Sequence, residues 1–196
     1  MADETAVLLI KRLDALTTQR QTWESHWQEI GDYVVPRKAD VTKNRSPGDK
    51  RSELIFDGTA IHAAELLSAS LHGMLTNAST AWFSLRYTEN ELNSEDEAME
   101  WLQGVEDVMY QAYNRSNFQE QIHELYHDLI TFGTGVMFVE ADDDQQIRFS
   151  TRHIKECYLS EDDKGRVDTV YRKFKMPMRA ALNRFGEEKM SSKILR

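Results

Sequence analysis

The most specific chemical pattern in the sequence is an HExxH motif, formed by His123, Glu124 and His127. On a helix, two histidines one turn apart can hold a zinc ion while the glutamate activates the bound water. A catalytic zinc also needs a third protein ligand. The segment that follows offers only Glu140 and Asp142 as near candidates, and a hairpin turn explains both residues.

The expected orientation of the motif also argues against a zinc peptidase. The apolar face of its helix is predicted from four residues at steps of three and four: Phe118, Ile122, Leu125 and Leu129. At about 100° per residue, both histidines point away from this face, so we expect them to be largely solvent-facing. We therefore predict no catalytic residue, no metal site and no cofactor, and a zinc metallopeptidase stays only as an alternative hypothesis.

Composition excludes further classes of function. The chain has 24 basic and 33 acidic residues, a net charge of −9, which argues against a compact module that binds duplex DNA by neutralising phosphates. Cys157 is the single cysteine, so no intrachain disulfide can form and a reducing cytoplasm fits. No GxxxxGK[ST] phosphate-binding loop is present. No apolar stretch approaches the roughly 18 residues of a membrane span, and we expect no membrane association.

A polar segment, residues 37–53, carries local positive charge inside this acidic chain. Ser46, Pro47 and Gly48 predict a loop. Its six cations are Arg37, Lys38, Lys43, Arg45, Lys50 and Arg51. They could contact nucleic-acid phosphates or an acidic partner, or could simply be solvated. A regulatory DNA-binding protein that uses this loop is therefore a third hypothesis.

Two amphipathic helices are predicted to precede the motif. The first spans residues 5–34 and ends before Pro36, with this stripe: Leu9, Leu13, Leu16, Trp23, Trp27, Ile30 and Val34. Arg20 interrupts the stripe, which indicates either a buried partner carboxylate or a helix that leaves its own core. The helix packs on its own domain or also on a neighbouring subunit, and for the second case Trp23 and Trp27 are the candidate oligomer contacts.

The second helix runs from Asp57 to Thr76. Its small residues, Ala60, Ala63, Ser70 and Gly73, allow another helix to approach closely. Leu67 and Leu71 are candidate oligomer contacts on this helix. Residues 82–87 then alternate like a short strand.

The rest of the chain predicts two more helices and then strands. Ser94 with Glu97, and Asn117 with Glu120, have the spacing of capping boxes that open helices ending near Arg115 and Phe132. Residues 136–140, 147–151, 158–159 and 167–174 are typical of strands in consecutive hairpins, and a last helix runs from residue 177 to 185. The predicted fold class is α+β: a helix-rich N-terminal half followed by an antiparallel β meander with a short helix.

The chain is predicted to consist of four parts. Residues 1–36 are the N-terminal amphipathic helix and residues 37–53 the basic polar loop. Residues 54–186 form an α+β body. Residues 187–196 lack apolar rhythm and are predicted to be a tail at an incomplete domain end.

Four long blocks carry a resemblance to a known family. They are RQTWESHWQEIGDYVVPRK (20–38), FDGTAIHAAELLSASLHGMLTNASTAWFSL (56–85), NRSNFQEQIHELYHDLITFGTG (114–135) and YLSEDDKGRVDTVYRKFKM (158–176). In this order they closely resemble the head-to-tail connecting, or portal, proteins of short-tailed bacteriophages (podoviruses). The likeness runs from Arg20 to Gly186, and several spaced blocks are far more specific than a short motif.

The resemblance implies a non-enzymatic subunit of a ring, typically a dodecamer, at one vertex of the virion capsid. The genome passes through such a ring as double-stranded DNA cargo during packaging by a separate terminase and during ejection, and tail adaptor proteins dock on it. Capsid and scaffolding protein are further implied partners, with assembly in the host bacterial cytoplasm. The matched region resembles the wing of such proteins.

The length of the sequence departs from the family. Family members run to several hundred residues, whereas this sequence has 196. The alternative expectation is therefore a truncated assembly or interaction fragment without channel function.

Overall fold

The computed structural model describes residues 4–190 and confirms the α+β class. In chain order the elements are α1 (Glu4–Tyr33), α2 (Thr59–Leu75), α3 (Asp96–Arg115), α4 (Phe118–Phe132), β1 (Val136–Asp142), β2 (Gln146–Arg152), β3 (Cys157–Glu161), β4 (Val167–Arg172) and α5 (Met178–Phe185). Short 3₁₀ turns lie at Pro36–Lys38, Leu92–Ser94, Ile154–Glu156 and Glu187–Lys189. Of the predicted tail, residues 191–196 lie outside the described residues. None of the described helices is long and apolar enough to span a membrane.

The strands form two antiparallel hairpins. In the first, β1 and β2 pair from Val136 opposite Arg152 to Asp142 opposite Gln146. In the second, β3 and β4 pair with Cys157 opposite Arg172. Within residues 4–190 each hairpin is its own two-stranded sheet. Because a lone hairpin is marginally stable in water, both depend on packing against helices.

Two apolar clusters form the core. The first joins α1 to the segments around it and consists of Trp27, Val35, Val41, Phe132 and Ile154. The second lies between α4 and β2 and is built on Phe118, Ile122 and Phe149. Trp82 stacks on Phe118, with ring centroids 5.5 Å apart. Helix α4 contributes to both clusters, which makes it the central element.

The predicted end of α4 is confirmed, whereas both capping boxes are wrong. Gly133 follows α4 with a φ of 74°, the left-handed conformation that glycine adopts without strain. Ser94 lies in a 3₁₀ turn, and Glu95 precedes the first residue of α3. The Asn117 amide donates to the Phe149 carbonyl at 2.8 Å and accepts from the Phe149 N–H at 2.9 Å, so it joins α4 to β2 instead of capping the helix.

The strand predicted over residues 82–87 is also wrong, because side chains rather than a partner strand bind its backbone. The Tyr110 hydroxyl accepts from the Phe83 N–H at 2.8 Å and donates to the Phe83 carbonyl at 2.7 Å. The Leu85 N–H donates to the Glu106 carboxylate. Helix α3 thus binds the backbone of Phe83 and Leu85, and Asn93 in the 3₁₀ turn before α3 binds that of Tyr87.

Candidate functional site

The HExxH residues lie on α4, on the side that faces α2. His127 is only 8% exposed, which contradicts the prediction of a solvent-facing histidine. Leu129, predicted to be buried, is 47% exposed. Helix α2 covers the histidine side of α4, and the periodicity of α4 alone could not reveal this neighbour.

The two histidines share one carboxylate on α2. The Nε2 atom of His127 lies 3.6 Å from Glu65 Oε1, and that of His123 lies 4.0 Å from Glu65 Oε2. The His72 ring, also on α2, packs against the His123 ring with centroids 5.6 Å apart. These contacts join two helices, which is a structural role.

Glu124, the residue that would act as the base in a peptidase, is already engaged. Its Oε2 atom lies 2.9 Å from Lys38 Nζ. Partial burial favours a higher pKa for Glu124, but the hydrogen bond and charge of Lys38 outweigh burial and hold the pKa below its ordinary value. No group of three potential ligands within residues 4–190 has the arrangement of a metal site. The geometry therefore gives no support to a zinc peptidase.

Most cations of the 37–53 loop are bound within the chain. Lys38 pairs with Glu124 and Asp128, Lys43 with Asp32, Arg45 with Asp32 and Asp40, and Arg51 with Asp40. Arg37 and Lys50 make no salt bridge in the described part of the chain. The loop is thus a strap held on the body, with four of its six cations in salt bridges within the chain.

Two acidic partners of the strap cations, Asp32 on α1 and Asp40 within the strap itself, have lowered pKa values. Partial burial favours a higher pKa for Asp32, but hydrogen bonds from Lys43 and Arg45 bring it below its ordinary value. Asp40 follows the same pattern, with Arg51 and Arg45 as the donors that lower its pKa against burial. A strap of this kind positions the chain and has little charge left over for a phosphate.

Arg20 donates hydrogen bonds to backbone carbonyls and also pairs with a carboxylate. Its guanidinium donates to the carbonyls of Ile154 at 3.0 Å, Lys155 at 3.2 Å and Cys157 at 2.8 Å. It also pairs with Glu24, at 2.7 Å. Arg20 therefore anchors α1 to the turn before β3. In the sequence, this role is visible only as a polar residue that interrupts the apolar stripe of α1.

The four residues predicted to contact other subunits occupy different environments. Trp27 lies in the first core cluster of its own chain, whereas Trp23 is exposed and stacks on it at 6.4 Å. Trp23 borders a cleft of ≈ 480 Å³ between α1 and β3. On α2, Leu67 is 51% exposed and Leu71 is half-buried. Trp23 and Leu67 are thus available for a partner, and Trp27 is already packed.

Large apolar residues are exposed over several helices. They include Val7, Leu8 and Ile10 on α1, Leu66, Leu67 and Met74 on α2, and Trp101 and Val108 on α3. A compact monomer of 22.8 kDa would expose about 9,600 Å², whereas this chain exposes 14557 Å². The chain thus exposes about half as much surface again as a compact monomer of its mass.

Comparison with known proteins identifies the family of the chain. The family model of the bacteriophage head to tail connecting protein matches residues 6–196. The chain belongs to this family. It is 32% identical over 196 residues to a probable portal protein of Bordetella phage BPP-1 and 31% identical over 195 residues to the portal protein of Salmonella phage epsilon15.

Each match covers 99% of the chain but only 35% of the relative's length. The chain thus spans about a third of these head-to-tail connecting relatives. The match of the family model confirms the family predicted from the four sequence blocks.

One exposed surface escaped the sequence reading. Trp101 and Val108 lie outside the main apolar stripe of α3, which runs through Met99, Leu102 and Met109. The apolar residues outside the stripe could have revealed this exposed surface. A helix that packs on one side only is normally polar on its other side.

Proposed function

We propose that the chain is the wing-like N-terminal part of a phage portal subunit, which assembles with further copies into a ring at one capsid vertex. The uncovered apolar surface carries the proposal, because exposed helix faces on this scale are rare in monomeric proteins and are typical of assembly interfaces. Membership in the head-to-tail connecting family supports a ring at the capsid vertex as the kind of assembly. A dodecamer is the expected ring.

In this role double-stranded DNA is a passing cargo and not a tightly held ligand. The chain has a net charge of −9, and most of its loop cations are paired internally. A negative wall weakens the attraction to phosphate and lets a duplex slide. Terminase, capsid and scaffolding protein and tail adaptors are the proposed partners, and the proposal assigns no catalytic step to this chain.

Native mass spectrometry and negative-stain microscopy test the ring. We expect the purified chain to form a homo-oligomer of uniform copy number with a central opening. Dilution should shift the equilibrium towards monomer, because an association depends on concentration. A monomer at every concentration that can be reached would contradict assembly through this part of the protein.

A further inference from the structure

Helix α3 carries an apolar stripe that residues 4–190 leave uncovered. Trp101 is 63% exposed and Val108 is 64% exposed. Gly104 lies between them, and a Cβ built there would meet no atom within 4 Å. Steps of three and four place the three residues on one side of the helix. Because Gly104 has no side chain, an apolar group of a partner can approach the helix backbone between the two apolar residues.

Acidic residues border this stripe. Glu97, Glu100 and Asp107 are exposed, and none of them makes a salt bridge within residues 4–190. The surrounding segment, residues 89–107, has eight acidic residues and no basic residue. Neighbouring like charges on a helix repel one another, so a cationic apolar partner would relieve that repulsion as it covers the stripe.

The chain itself carries a surface of this complementary kind around α5. Residues 172–186 contain five basic residues and no acidic one. Four of the five are exposed without a salt bridge in the described structure: Lys173, Lys175, Arg179 and Arg184. Met178 and Phe185 on α5 are also exposed.

Helix α5 has little to stabilise it within one copy. It has eight residues, and none of them is buried. Helices this short are marginal in water unless an apolar face packs on something. Since the α3 stripe and the α5 residues are both exposed, neither covers the other within the chain.

We propose that α5 of one copy packs on the α3 stripe of the next copy. Met178 and Phe185 contact Trp101 and Val108, and the cations around α5 face the acidic border of the stripe. The two surfaces are unlike, so the contact is head-to-tail and can close into a ring. This inference rests on the proposed function and names one of the interfaces that such a ring requires.

Charge reversal of the full chain tests the contact, read out by sedimentation equilibrium and native mass spectrometry. The basic-side variant is Arg179→Glu with Arg184→Glu, and the acidic-side variant is Glu97→Arg with Glu100→Arg. Each should weaken self-association by about tenfold or more, because like charges then face each other. Combining all four changes should restore association, since opposite charges meet again. Lys164→Glu, at the exposed β3–β4 turn, is the matched control and should have no effect.

Mixing the two variants guards against a trivial loss of folding. The acidic-side variant keeps a native basic surface, and the basic-side variant keeps a native acidic surface. Their reversed surfaces are also complementary to each other, so an equimolar mixture should associate where neither variant alone does. Circular dichroism should give equal helix content for each variant and the wild type.

The outcomes separate this contact from the ring itself. A wild type that forms oligomers insensitive to both reversals overturns the α3–α5 contact and leaves the ring standing. Sensitivity to the α3 changes alone, with no rescue in the combined variant or the mixture, shows that a different partner covers the stripe and also overturns the contact. A wild type that stays monomeric contradicts both this contact and the ring.

Discussion

Arg20 occupies a position in the apolar stripe of α1 and donates hydrogen bonds to three backbone carbonyls. Replacing it with methionine keeps the bulk of the side chain and removes every donor to the three carbonyls. We expect the free energy of unfolding to fall by about 2–4 kcal/mol, because buried acceptors lose charged partners. Urea unfolding followed by circular dichroism measures this loss. Arg12→Met, at an exposed position of the same helix, is the control and should change stability by less than about 0.5 kcal/mol.

Asp128 predicts a pH dependence of stability. Burial raises the pKa of Asp128 despite its ion pair with Lys38. A carboxyl with a raised folded-state pKa contributes stability that is complete below its unfolded-state pKa and is lost as pH rises through the folded-state pKa. The wild type should therefore lose stability relative to Asp128→Asn as pH rises above about 4, the ordinary pKa of an aspartate. Urea unfolding at several pH values measures the difference, and a constant difference would contradict the prediction.

Asp142 provides a control of opposite sign. Hydrogen bonds from the backbone N–H groups of Gln145 and Asp144 lower the pKa of Asp142. A lowered folded-state pKa contributes stability above the unfolded-state pKa that is lost as pH falls. The wild type should therefore lose stability relative to Asp142→Asn on acidification, over the range below about pH 4. The same unfolding series records both slopes.

At the scale of elements, Asn117 joins α4 to β2. Replacing it with alanine leaves the Phe149 N–H and carbonyl without their side-chain partner. We expect a loss of about 2 kcal/mol in unfolding free energy, since two hydrogen bonds near a buried residue disappear. Asn114→Ala, at an exposed position near the end of α3, is the matched control. Equal stability of the two variants would show that water replaces the Asn117 contacts.

The sequence predicted helices better than their ends. The apolar periodicity of α1 and α4 set bounds close to those observed, because this signal is local in the chain. The cap at Asn117 was wrong because its side chain binds Phe149, far along the sequence. The strand at residues 82–87 was wrong for the same reason, since Tyr110 and Glu106 supply its partners. Long-range partners leave no local signature.

The same limit applies to the site. The lack of a third zinc ligand near His123 and His127 can be recognised from the sequence, because the candidate ligands can be counted there. The burial of His127 depends on α2, and no pattern in α4 points to that helix. The family resemblance did not depend on long-range contacts, because several blocks in a fixed order identify a family even where individual contacts are unknown.

Substitutions on the uncovered face of α2 allow the effects on folding and on assembly to be measured separately. Leu67 and Met74 are seven residues apart and share an exposed side of the helix, with Met74 82% exposed. Replacing both with glutamine, which has a similar helix propensity, should leave the unfolding free energy of the monomer within about 0.5 kcal/mol of wild type. The homo-oligomer should weaken by about tenfold if this face is covered by another copy.

Leu102 supplies the contrast, since it is buried on α3. Leu102→Ala should cost the monomer about 2–5 kcal/mol, because it leaves a cavity in the core. Urea unfolding of the dissociated chain and sedimentation equilibrium of the assembled chain together separate the two effects. If the α2 double variant assembles as tightly as wild type, the α2 face does not contact another copy, and the remaining exposed faces on α1 and α3 have to account for the ring.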